Sequence, residues 1–125
     1  MRIVSLDHLV LTVASIERCC AFYSGILGMR HETFGDGRNA LVFGSQKINL
    51  HLAGNEFEPK AVHPKPGSGD LCFVIDDVAA AQVHLEAHGI EIIDGPVART
   101  GAVGALMSVY CRDPDGNLVE LAEYQ

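Results

Sequence analysis

The chain is short of basic residues, with 9 Lys and Arg against 16 Asp and Glu and a net charge of −7. That balance argues against nucleic acid or an anionic membrane surface as the main partner, since both select basic patches. No apolar run approaches the roughly 20 residues a membrane span requires. The opening "MRIVSLDHLVLTV" alternates and carries an Asp-His pair, unlike the apolar core and small-residue cleavage site of a secretory signal. No C-x-x-C pair occurs among Cys19, Cys20, Cys72 and Cys111, which argues against a zinc knuckle or a thioredoxin-like motif. Apolar neighbours mark the four as buried free thiols, and a reducing, cytoplasmic location is the expectation.

What is present is an ordinary globular composition, 48% hydrophobic and 20% charged over 125 residues, the size of one domain with a substantial core. Residues 3–13, "IVSLDHLVLTV", alternate as a strand. Leu9, Leu11 and Val13 share one face, and His8, Val10 and Thr12 the other. Ser15 is a candidate N-cap for a helix that Gly28 ends. Three short strands follow near 29–35, 39–44 and 47–52, punctuated by "GDGRN" and "GSQ". Residues 53–68 hold three prolines and two glycines and read as an extended connector.

The pattern then restarts. "DLCFVIDDV" mirrors "HLVLTVASI", a helix closes at Gly89, and strands are predicted near 90–98, 103–111 and 117–123. The chain is therefore an internal duplication, with module one at about 1–52, the connector at about 53–68 and module two at about 69–125. Each module is βαβββ, and the fold class is α+β. Aligning the halves sets His8 against Asp70 and His51, in "KINLHL", against Glu120, in "NLVELA". All four lie opposite an apolar strand face. Glu120 in mid-strand can simply point to solvent, but two imidazoles and two carboxylates converging from the polar faces would also account for it. Arg99 sits in the glycine-rich stretch "GPVARTGAVG". It is a candidate for binding a substrate carboxylate or phosphate, or a residue of a solvated hairpin loop.

"LDHLVLTVASIERCCAFYSGILGM" and "RDPDGNLVELAEY" resemble the opening and closing motifs of the vicinal-oxygen-chelate superfamily of glyoxalase I, extradiol dioxygenases and fosfomycin-resistance transferases. "FEPKAVHPKPGSGDLCF" and "GPVARTGAVGALMSVYCRDPDGN" look closest to the group called glyoxalase domain-containing protein 5, which includes bacterial relatives described as virulence proteins. The resemblance implies two βαβββ modules forming an open, cup-like barrel with helices on the outer face. It also implies one divalent metal per site, held by His8, His51, Glu120 and, in a departure from the usual histidine, Asp70. Imidazole with carboxylate suits Ni, Zn, Co, Mn or Fe.

The function implied is a metal-dependent, glyoxalase-like enzyme acting on a small molecule with vicinal oxygens, with a ligand carboxylate, Glu120 or Asp70, as general base and lactoylglutathione-lyase-type isomerisation as its pattern. The alternatives are metal-free sequestration of a small molecule, as in bleomycin resistance, and iron-dependent ring cleavage, against which Asp70 counts. A twofold homodimer is expected, with neither nucleic acid nor membrane as partner.

Overall fold

The structure is a computed structural model that describes residues 1–125. The chain divides into two compact units, Met1–Ser68 and Gly69–Gln125, each built on one four-stranded mixed sheet. In the first unit β1 (His8–Val13), β2 (Arg30–Phe34), β3 (Arg38–Phe43) and β4 (Gln46–Leu52) are ordered β1-β4-β3-β2. In the second unit β5 (Asp70–Val74), β6 (Asp94–Thr100), β7 (Ala105–Arg112) and β8 (Leu118–Tyr124) are ordered β5-β8-β7-β6. The first and last strands of each unit pair in parallel, while the others form antiparallel hairpins. The duplicated βαβββ pattern of the sequence is thus the topology of the protein, and its class is α+β.

The first strand is shorter than its alternation predicts. Pairing with β4 begins at His8↔Lys47, one residue into β4, so residues before His8 have no neighbouring backbone to join. Met1, Ile3, Val4 and Leu6 stand exposed, and the Gln46 side chain donates to the Leu6 carbonyl at 2.9 Å. Ser15 caps α1 (Ile16–Cys20) by accepting from the Arg18 amide at 3.2 Å. The helix then widens into a π-helical segment, Ala21–Ile26. Leu11, Val13, Ile48 and Leu50 form the buried face of this sheet, and Cys19, Phe22 and Tyr23 are buried from the helical segment.

In the second unit α2 (Val78–Ala87) begins at Asp77, whose side chain accepts from the Ala80 amide at 2.9 Å. It packs on β7 and β8. Val109, Cys111, Val119 and Leu121 make the apolar face, and Val78 and Leu85 are the buried residues of the helix. Glu123 accepts from the Val78 amide at 2.9 Å, tying the free N–H groups at the start of α2 to β8. The strand predicted from residue 90 begins only at Asp94, because the helix ending consumes the segment before it. Gly89 takes a φ of +72° and the Ile90 amide returns to the Leu85 carbonyl at 2.9 Å, a helix stop that favours glycine. Residues 53–68 hold no helix or strand of their own beyond a bridge from Leu52 to Asn55, as their composition predicts.

Candidate functional site

The polar face of the second sheet answers why a glutamate sits in β8. Glu120 lies opposite Cys72 of β5 and opposite Tyr110 of β7, and paired residues project from the same side of a sheet. The Ser108 hydroxyl donates to Glu120 Oε1 at 2.6 Å. The Cys72 thiol and the Tyr110 hydroxyl sit beside this carboxylate, near enough for its charge to act on both. Partial burial, then the Glu120 and Asp70 carboxylates, push the Cys72 thiol up to about 11. Cys72 therefore stays a neutral donor near pH 7, not a thiolate ligand or nucleophile. Tyr110 is raised as well, by desolvation first, with Arg99 pulling it down and Glu120 pushing it up.

Arg99 joins the same network. Its Nε donates to the Tyr110 hydroxyl at 3.0 Å, and its Nη2 lies 3.4 Å from Asp94 Oδ2. The guanidinium carbon is 5.4 Å from the centre of the Tyr110 ring. Arg99, Tyr110 and Glu120 thus stand in a line from cation to carboxylate, its first step hydrogen-bonded and its second a cross-strand pair. The line runs along an open cavity of about 390 Å³ whose walls also include Asp70, Asp94 and Arg112, with Ile93 and Leu118 supplying apolar surface. Six of the eight lining residues are polar or charged, so the cavity suits a polar small molecule more than an apolar one. Ser108, Tyr110 and Asp94 were not legible as site residues. Their alternation along the strands was visible, but the residues facing Glu120 depend on the β7–β8 register.

In the first unit, His8 lies at the start of β1 with Nδ1 2.7 Å from Asp7 Oδ2. A carboxylate behind one ring nitrogen leaves Nε2 available, as in metal-bound histidines. His51 is elsewhere. It pairs with Thr12, four residues along β1 from His8, a distance of about 13 Å at strand rise. Within this unit the two imidazoles do not meet. The registers also correct the internal alignment. Glu120 pairs with the residue two beyond Asp70, and the residue pairing two beyond His8 is Asn49, not His51. An alignment of His51 with Glu120 is therefore two residues out, a shift that preserves the face and so escapes detection by alternation. His51 is only 3% exposed, edge-on to Phe57 with ring centroids 5.6 Å apart. Burial, then the Arg38 cation, lowers its pKa.

No group of three or more His, Cys, Asp or Glu side chains is drawn together as a ready metal cage in either unit. The second unit does set two carboxylates, Asp70 and Glu120, on one cavity wall. Their hard oxygens suit a divalent cation; in the first unit, the Asp7-backed His8 has by itself the form of an imidazole ligand.

Residues 5–121 match the family model of the Glyoxalase/Bleomycin resistance protein/Dioxygenase superfamily. The chain belongs to this superfamily. It is 61% identical over 122 residues to glyoxalase domain-containing protein RDO1 of Mycosarcoma maydis, covering 97% of this chain and 69% of that protein. The crystal structure of virulence protein STM3117 from Salmonella typhimurium superposes with a TM-score of 0.98 at 51% identity, covering all of both chains. A lactoylglutathione lyase from Agrobacterium tumefaciens is more distant, with a TM-score of 0.73 and 26% identity over 95% of this chain and 92% of that one. Superfamily membership carries binding of small molecules and, in many members, a divalent metal. No helix of this protein is long and apolar enough to cross a membrane.

Proposed function

We propose that this superfamily member is a glyoxalase-like enzyme that isomerises a small, anionic molecule with vicinal oxygens. The supporting observation is the line Arg99–Tyr110–Glu120 along one cavity. Arg99 provides a fixed cation for a substrate carboxylate or phosphate. Glu120 provides the base. It takes a proton from the carbon bearing one oxygen and returns it to the neighbouring carbon, so the conversion is redox-neutral and needs no other reactant. Ser108, which donates to Glu120 Oε1 at 2.6 Å, holds the carboxylate at the cavity, with Tyr110 paired beside it. A divalent cation would be held by Glu120 and Asp70. When bound it supplies Lewis-acid polarisation of the substrate oxygens.

The testing experiment follows exchange of substrate carbon-bound hydrogen with D₂O by NMR, across a panel of α-hydroxy ketones and hemithioacetals. The metal-loaded protein should exchange at least one of them. Glu120→Gln should slow that exchange roughly 10²- to 10⁴-fold, the range for loss of a general base. Arg99→Met should act mainly on KM. Full activity in Glu120→Gln, or equal rates for the metal-stripped and metal-loaded protein, would refute the base or the metal respectively.

A further inference from the structure

We infer that the last turn of α2 carries a metal site separate from the Arg99 cavity, a pair of imidazoles from His84 and His88 that chelates a late first-row divalent ion such as Zn²⁺, Ni²⁺ or Cu²⁺. The two residues are four apart, the spacing that sets side chains beside each other on one face of a helix. Helical bonding reaches the second of them, since the His88 amide donates to the His84 carbonyl at 3.2 Å. Both residues are exposed, so an ion reaches them directly from solvent. Histidines at this spacing hold zinc on the helices of metalloproteases.

The ring geometry fits shared coordination. An ion about 2.1 Å from an imidazole nitrogen is about 3.2 Å from the ring centre. Two rings on one ion, at angles of about 90° to 109°, then have centres about 4.5–5.2 Å apart. The His84 and His88 centres are 4.5 Å apart, with the planes tilted by 53°. The tautomer of His88 is set as well. Its Nδ1 lies 2.9 Å from the His84 carbonyl oxygen, which can only accept, so Nδ1 carries the proton and Nε2 keeps the lone pair. A backbone carbonyl behind one ring nitrogen is the usual support of a metal-bound histidine. The turn is also held in place from below. Leu85, between the two histidines, is 1% exposed, and its carbonyl accepts from both the His88 and the Ile90 amides. The negative end of the helix dipole adds a potential that favours a cation there.

The test adds Zn²⁺ to the full chain at about 100 µM and follows the ring ¹⁵N resonances of both histidines by NMR. Both rings should shift, His88 through Nε2 while Nδ1 keeps its proton. His84→Gln and His88→Gln should each weaken binding about tenfold or more, because the second imidazole binds as an intramolecular partner of the first. Both positions are exposed, so circular dichroism should show these variants folded. Asp70→Asn/Glu120→Gln should leave the His84 and His88 shifts unchanged, which separates this site from the cation of the proposed function. The inference is overturned if Zn²⁺ leaves either ring unmoved, if either single variant binds as well as the parent chain, or if the Asp70→Asn/Glu120→Gln chain loses the response.

Discussion

Replacing Asp113 with alanine should destabilise the protein by about 3–4 kcal/mol, two buried carboxylate hydrogen bonds at roughly 1.5–2 kcal/mol each. Asp113 is 6% and Asn117 1% exposed. Asp113 Oδ1 accepts from the Asn117 amide at 2.9 Å, and Oδ2 accepts from Asn117 Nδ2 at 2.7 Å. A third bond, from the Asp115 amide at 2.9 Å, is only part-buried, so water can replace it and it adds little. Asn117 Oδ1 in turn accepts from the Gly69 amide at 2.7 Å, and the Leu118 amide donates to the Gly69 carbonyl at 3.0 Å. The turn therefore clamps the start of β8 to the residue before β5, setting the register that places Glu120 on the cavity wall. Urea unfolding should show the lower midpoint with an unchanged m-value, and the melting temperature should fall by roughly 12 °C for a domain of this size. Asn117→Ala should cost about as much. The double variant should cost well below the sum, because the two share their bonds. A loss below about 1 kcal/mol, or strict additivity, would refute the clamp.

His51 has a lowered native pKa, so the unfolded chain binds its proton first as pH falls through about 6.5, the ordinary histidine value. Stability should therefore decline on acidification in the window just below that value. His51→Gln should flatten this part of the profile measured by urea unfolding between pH 5 and 7. Gly95 has a φ of +98°, and a Cβ there would press on the Ser108 carbonyl oxygen. Gly95→Ala should cost more than about 2 kcal/mol, and crystallography of the variant should show β6 shifted at Asp94. Light scattering should give twice the 13.4 kDa chain mass for the proposed twofold homodimer; a monomer would refute it.

The sequence by itself determined the duplicated βαβββ order, the helix stops at Gly28 and Gly89, and which face of each strand is apolar. These are local properties of alternation, capping and positive φ. It also placed Glu120, Asp70 and Arg99 among the site candidates. It did not decide which residues stand side by side. A shift of two residues keeps every side chain on its face, so alternation matched His51 to Glu120 as readily as it would have matched Asn49. Only the β1–β4 and β5–β8 ladders separate those alternatives. The same holds for Ser108 and Tyr110, which became partners of Glu120 through the β7–β8 register. Neighbours across a sheet are set by hydrogen bonds between segments distant in the chain, and tertiary structure alone fixes them.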